Sequence, residues 1–364
     1  MPILHWLNKE DAVTAAKRSA YRLLEEVPSL SYGDPENENL LIQGDNLEAL
    51  KALIPLYAGK VKCIYIDPPF NTEQAFEHYD DNLEHSIWLS LMYARLEMLN
   101  VLLADEGTFF LHLDDNQISY ATVICDEIFG RKNRIFMSTF KQSSASGPKA
   151  INPGVVTTAN FLVCYAKNKA NWTPNRVYVS RERDDRYTKF ISNIKDHESQ
   201  WEIIGLREAF AIYSGVSPKE LKQKYTDKYE SKLHEFVLNH ADSVIRTARV
   251  AEKDVGEEAR KALADSIVKP GYFFKAERDG KLPQYFYSGE QVAFYRSKTK
   301  KIDGKITTAQ PLTNIWDDLL SNNLHAEGGV QFKNGKKPES LIKRVLELVT
   351  QRGDIVLDSF LGKV

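Results

Sequence analysis

The sequence predicts an α/β fold: a doubly wound sheet with helices on both faces, interrupted by an inserted α+β region. Three observations carry this. VKCIYI, residues 61–66, is unalternating and rich in β-branched and aromatic residues, the pattern of a parallel strand covered on both faces. Between about residues 40 and 168, strand-like runs alternate with segments of helical apolar spacing. That alternation is lost near Trp172 and returns only toward the end of the chain.

Residues 9–26 read as an amphipathic helix with Asn8 as its N-cap and Asp11 three positions on. Leu40 to Ile42 suggest a short strand, and Asp45 opens the next helix. After VKCIYI, residues 85–107 carry helical spacing and stop near Gly107; residues 108–116 form another strand, ending in acids. Residues 118–130 are a helix and 160–168 a strand. In the insertion, Ser217, Pro218 and Glu220 start a long polar helical stretch, followed by an aromatic β-like piece over 271–305. A helix over 336–353 and a strand entering a glycine turn over 354–362 restore the α/β grammar. The expected boundaries are 1–30, an N-terminal helical segment; 31–169; an insertion over 170–310; and 311–364.

The composition, 43% hydrophobic and 27% charged over 364 residues, supports a sizeable core and excludes wholesale disorder. A formal charge of −2 gives no global pull toward nucleic acid, so polyanion binding requires a local basic face. Cys63, Cys125 and Cys164 form no CxxC pair, which argues for a reducing compartment and against a zinc site. The start has no secretory pattern and no apolar run approaches membrane length, so a soluble, cytoplasmic protein is expected, with no metal.

The chemistry concentrates in Asp67-Pro68-Pro69-Phe70, directly after the buried strand. Strands of such sheets present ligands at their carboxyl ends, where Asp67 and the pair Asp114–Asp115 fall. Prolines fix φ and lack an N–H, so the carbonyls here are left free and rigidly aimed. A carboxylate, an aimed carbonyl and a ring face suit a flipped-out nucleobase bearing an exocyclic amine. The two acceptors take both N–H bonds and the ring stacks, with positioning and electrostatics sufficient for the amine to attack an electrophile above it. A strand-ending turn in which Asp67 caps a helix is the plain alternative. GDIVLDSFLG, 353–362, has the strand, acid and glycine with which a nucleotide-binding turn begins, although taken alone it favours a mere turn. The acids at 114–116 fit capping or pocket lining, and His78, His85 and His112 are not spaced as ligands.

Taken in order, ENLLIQGDNLEALKAL, VKCIYIDPPFNT, FKNGKKPESLIKRVLELV and GDIVLDSFLG resemble the amino-methylating DNA methyltransferases that use S-adenosylmethionine, in the permuted group whose catalytic half precedes the cofactor half. Within it the chain resembles the modification (Mod) subunit of type III restriction–modification systems. MPILHWL, FEHYDDNLEHSIWLSLMYARLE and DEIFGRKN strengthen that match. The resemblance implies a Rossmann-like methyltransferase sheet and methyl transfer to adenine N6 in duplex DNA. It makes Asp67, Pro68, Pro69 and Phe70 the catalytic tetrapeptide, with Asp67 favouring adenine N6 over cytosine N4. It places Asp45, Phe332, Lys337, Pro338, Asp358, Phe360 and Gly362 around the cofactor, although Asp45 also fits a plain N-cap and Lys337 a solvated helix end. It makes the insertion a reader of target sequence, and implies a homodimer and a helicase-nuclease restriction subunit as partners.

Local chemistry bears on the insertion. Arg296, Lys298, Lys300, Lys301 and Lys305 crowd against Asp303, just after Tyr272, Phe273, Phe274, Tyr285, Phe286 and Tyr287. Basic charge suits phosphate contact, and the aromatics suit base stacking or a small core. At Phe360-Leu361-Gly362-Lys363-Val364 the family pattern continues through a second glycine, a helix and a further strand. The expectation is therefore a sheet lacking its C-terminal part, weak cofactor binding and negligible methylation by this chain alone. A non-catalytic DNA-binding or assembly fragment, and a methyltransferase acting on cytosine, RNA or a protein amide, are the competing readings.

Overall fold

The computed structural model describes residues 3–34, 39–71, 84–145, 154–319, 324–329 and 336–361. Two compact units emerge: residues 1–177 with 313–364, and residues 178–312.

In chain order the first unit begins with α1 (Lys9–Arg18), α2 (Asn46–Tyr57), β1 (Val61–Ile66), α3 (His85–Leu102), β2 (Leu103–Leu113), α4 (Ile118–Cys125), β3 (Arg134–Lys141) and β4 (Ala159–Ala166). The second unit holds β5 (Tyr178–Ser180), β6 (Lys189–Ile191), β7 (Ile203–Gly205), α5 (Leu206–Ser214), α6 (Leu221–Tyr225), α7 (Tyr229–Asn239), β8 (Val244–Ala248), α8 (Glu257–Val268), β9 (Phe273–Ala276), β10 (Gln284–Tyr287), β11 (Glu290–Phe294), β12 (Thr299–Ile302) and β13 (Lys305–Pro311). The first unit closes with β14 (Ile315–Trp316), α9 (Glu339–Val349) and β15 (Val356–Leu357).

The sheet of the first unit runs β14-β3-β4-β2-β1-β15 and is mixed. β15, β1 and β2 are parallel, β4 lies antiparallel between β2 and β3, and β14 is parallel to β3. Strand side chains alternate between faces. Ile64, Ile66, Phe109, Leu111 and Leu113 share one face and form the core with Trp88, Leu89, Met92, Leu96 and Leu99 of α3. On the other face Cys63, Tyr65, Phe110 and His112 are also buried. A strand buried on both faces has no polar side to alternate with, which is why VKCIYI reads as it does.

Local readings needed correction in several places. α1 stops at Arg18, not residue 26, and Asn8 sits in the left-handed region (φ 65°) without a side-chain cap. Leu40 to Ile42 are not a strand; Leu40 and Leu41 are exposed, so that run has no sheet to join. α3 ends at Leu102 and β2 starts at once, five residues earlier than the Gly107 stop suggested. Gly107 instead serves a bulge: the β1–β2 register shifts between Val61 and Cys63. A Cβ at position 107 would stand 2.8 Å from the Val61 carbonyl. The polar stretch after Ser217 is broken into α6 and α7, with Thr226 at φ 48° between them. Ser217 and Glu220 pair as expected (2.8 Å), but one turn ahead of the helix.

The second unit is α+β. Its antiparallel sheet runs β7-β6-β8-β11-β10-β9, beside a three-stranded β12-β13-β5 sheet. Leu206, Phe210, Leu233, Phe236 and Tyr295 form one core, and Ala259, Leu263 and Phe286 another.

Candidate active site

β1 ends at Ile66 and the chain passes straight into Asp67-Pro68-Pro69-Phe70. β15 runs beside it with Ile64 opposite Leu357, so Asp67 and Asp358 leave adjacent parallel strands at one rim. Asn71 then takes φ 56°, a conformation that an L-residue without a short polar side chain avoids. Trp88, fully buried on α3, donates its indole N–H to the Pro69 carbonyl at 2.8 Å. This corrects the expectation that both proline carbonyls are free. A buried indole N–H needs an acceptor, and the rigid turn supplies it, leaving Pro68 as the candidate aimed carbonyl.

Lys337 stands just before Pro338, the buried N-cap residue of α9. Its Nζ lies 2.5 Å from Asp67 Oδ2 and 5.0 Å over the Phe70 ring. The Asp67 and Lys337 side chains keep 16% and 18% of their surface, shielded yet reachable. Burial pushes the Asp67 carboxyl up, against the pull of Lys337. Asp358 is pushed up to about 7 by desolvation at the rim and by the Asp67 charge, while the Phe360 N–H and Lys337 oppose the rise. Asp358 as a residue keeps exposed surface, so water screens part of that effect.

On the neighbouring side, Asp45 caps α2 through the Leu47 and Glu48 N–H groups. It also meets Arg95 Nη2 at 3.1 Å, and Arg95 Nε donates to Asn46 Oδ1. Asn46 Nδ2 donates to the Ser359 carbonyl at 2.8 Å, joining the GDN turn to the DSF turn. The Phe360 N–H donates to Asp358 Oδ1 (2.8 Å), and its ring enters the core. Ser359 Oγ is buried with no hydrogen-bond partner among the described residues. Phe332 and Gly362 lie outside the described residues.

His112, Asn46, Arg95 and Trp88 also belong to this site; of these only Asn46, next to Asp45 in QGDN, has a signal in the sequence. His112 is buried at 5.3 Å from the Phe70 ring. Asp114 accepts from the backbone and side chain of Asn116 and shapes the turn before α4, while Gln117 begins the helix.

In the second unit the basic run is divided. Arg296 pairs with Asp242 (3.2 Å) and lies over Phe294. Lys298 is half-buried. Lys300 and Lys301 are adjacent in β12, so they point to opposite faces of the hairpin. Lys300 reaches over Tyr178. Of the aromatics, Phe273 and Phe286 are core, Tyr285 packs on Trp201, and Tyr272 is exposed.

A carboxylate at a strand end, beside an aromatic face that already carries an ammonium, is a receptor for nitrogen that donates hydrogen bonds and bears positive charge. Residues 61–363 match the family model described as DNA methylase. The chain belongs to that family. Among the relatives of this chain, the probable type III restriction-modification enzyme HindVI Mod subunit of Haemophilus influenzae is 32% identical, over 97% of this chain and 50% of its own length. The EcoP15I Mod subunit of Escherichia coli is 28% identical, over 99% of this chain and 60% of its own. The EcoPI Mod subunit of Escherichia phage P1 is 26% identical, over 99% and 59%. The chain thus spans about half to three fifths of the length of these relatives. Among the described residues no helix is long and apolar enough to cross a membrane.

Proposed function

We propose that this chain transfers the methyl group of S-adenosylmethionine to the N6 amine of an adenine turned out of duplex DNA, within the modification subunit of a type III restriction–modification system. The observation that carries this reading is the Lys337 ammonium held against Asp67 and over Phe70. An aryl amine that attacks a methyl group acquires positive charge on nitrogen, so a site suited to that ammonium is suited to the transition state. Asp67 and the Pro68 carbonyl accept the two amine hydrogens, and the Phe70 ring stacks on the purine. Once the N–C bond forms, the nitrogen carries one proton too many. Asp67, with its carboxyl pushed up by burial, is placed to receive it on the way to water. Lys337 yields its place as the base enters.

The orphaned Ser359 hydroxyl beside Asp358 fits a polar cofactor at this rim. Asp45, Asp358 and Phe360 would hold it, with Lys337, Pro338, Phe332 and Gly362 completing the set; when bound, S-adenosylmethionine would supply the electrophilic methyl, its methyl–sulfur bond breaking as the N–C bond forms and the sulfur leaving as a neutral thioether. Residues 178–312 read the target sequence, with phosphate contacts drawn from the basic run Arg296, Lys298, Lys300 and Lys301, of which Lys300 and Lys301 face opposite ways. The relatives are named as subunits of type III restriction-modification enzymes, which supports a restriction subunit as partner; a second copy of the chain is proposed from the family resemblance alone.

The test is transfer of labelled methyl from the cofactor to unmethylated duplex DNA by the intact protein, followed by nucleoside analysis. N6-methyladenine that disappears in Asp67→Ala is expected. N4-methylcytosine, or label equal in both proteins, would overturn the reading.

A further inference from the structure

His112 has no exposed surface and stands on β2, two residues before Asp114. Register fixes its face. Tyr65 is opposite Phe110, His112 opposite Leu162, and Phe140 opposite Asn160. With alternating side chains, Tyr65, His112, Asn160 and Phe140 form a row on one face across β1, β2, β4 and β3.

Both imidazole nitrogens are bonded. Asn160 Nδ2 donates to Nε2 at 2.9 Å, and Nδ1 lies 2.8 Å from Tyr65 Oη. An amide NH2 has no lone pair to offer, so Nε2 is the acceptor and Nδ1–H donates to the tyrosine oxygen. An imidazolium would set N–H against N–H. Burial and the Lys337 charge act in the same direction, holding the imidazole well below the usual histidine range. Two in-plane hydrogen bonds, and Phe140 edge-on at 4.8 Å, leave the neutral ring one orientation. The Phe70 ring leans on it at 5.3 Å and 57°.

We propose that His112 is a positioning residue that fixes the angle of the Phe70 ring and with it the plane offered to the target base. An aliphatic side chain would fill the volume without defining the angle. The consequence for methylation rests on the reading of Phe70 as the stacking face; the ring geometry does not.

The experiment therefore has two readouts. With 3-fluorophenylalanine at position 70, whose meta fluorine moves as the ring plane turns, a single narrow fluorine resonance is expected in the native protein and in His112→Gln, which keeps a donor and an acceptor. Broadened or split lines are expected in His112→Leu. Tyr65→Phe removes only one hydroxyl, and it carries the same test should His112→Leu not fold. Methyl transfer in the loosened variants should lose on the order of 10- to 100-fold in kcat/KM for DNA, with cofactor affinity by calorimetry unchanged and His112→Gln largely restored. A folded Tyr65→Phe or His112→Leu protein with an undisturbed resonance at position 70 overturns the proposal, whatever its methylation rate. Loosened rings in a protein that never methylates DNA uphold the positioning role and sink the methyltransferase reading instead.

Discussion

Lys337 Nζ lies 2.5 Å from Asp67 Oδ2, although the two residues belong to opposite ends of the first unit's chain path. The pair is largely shielded, so removing one partner leaves the other poorly solvated. Lys337→Met is expected to destabilise the fold by about 1–3 kcal/mol at pH 8, below the figure for a fully buried pair because both side chains keep some water. The sign with pH follows from Asp67. Its folded carboxyl already titrates above the unfolded one, so protonation favours the fold and stability is lost as pH rises through the folded value. Without Lys337 that value climbs further, and the deficit of the variant should shrink toward pH 5. Urea unfolding at both pH values decides; a deficit independent of pH would refute the pairing.

Asp358 extends the same argument. Its carboxyl is pushed up to about 7 in the folded chain, above an unfolded value near 4. The native protein should therefore lose stability relative to Asp358→Asn as pH rises from about 4 to 7. Below that window the two should melt alike. Melting curves across pH test this, and superimposable pH profiles would contradict it.

The sequence was most legible where one physical demand dominated. A strand buried on both faces must be apolar throughout, so VKCIYI could be placed to the residue, and the two prolines marked the stiff turn after it. Leu40 and Leu41 misled because three apolar residues say nothing about a partner strand. The end of α3 misled because Leu102 and Leu103 carry no breaker between them, while Gly107 looked like a stop and serves a bulge. At the site, a motif exposes only neighbours in sequence. The lysine on Asp67, the histidine behind Phe70 and the indole on Pro69 come from other elements; Lys337 is marked only by the family motif around it, and the other two have no local signature.

The indole contact is itself testable. Trp88→Phe keeps most of the buried ring and leaves the Pro69 carbonyl without its donor. An unsatisfied buried acceptor costs about 1–3 kcal/mol. Chemical denaturation should show a loss of that size, and amide exchange should quicken at Phe70 and Asn71. Unchanged exchange there would mean that Trp88 serves only the core.

Arg95 is predicted to act on cofactor binding. It holds Asp45 and Asn46, and Asn46 holds the Ser359 carbonyl, so one buried guanidinium sets the spacing of two turns far apart in the chain. Lysine cannot reproduce the fork. Arg95→Lys should weaken S-adenosylmethionine binding roughly tenfold, a displacement cost of about 1.4 kcal/mol, while kcat at saturating cofactor stays near the native value. Calorimetry and steady-state kinetics separate the two effects. A fall in kcat at unchanged affinity would place Arg95 in the base pocket instead.

The basic hairpin gives an asymmetric prediction. Lys300 and Lys301 are neighbours in β12 and project to opposite faces, so a single DNA surface can use only one of them. Each phosphate contact releases counterions and contributes about 0.9 to the slope of log affinity against log salt. Of Lys300→Ala and Lys301→Ala, one should lower that slope by roughly one and the other should leave it unchanged. Lys300 is also engaged over Tyr178, which makes Lys301 the expected phosphate contact. Equal loss in both variants would require the strand to be contacted from both sides and would refute the single-face reading, whereas an unchanged slope in both would remove the phosphate role of this run.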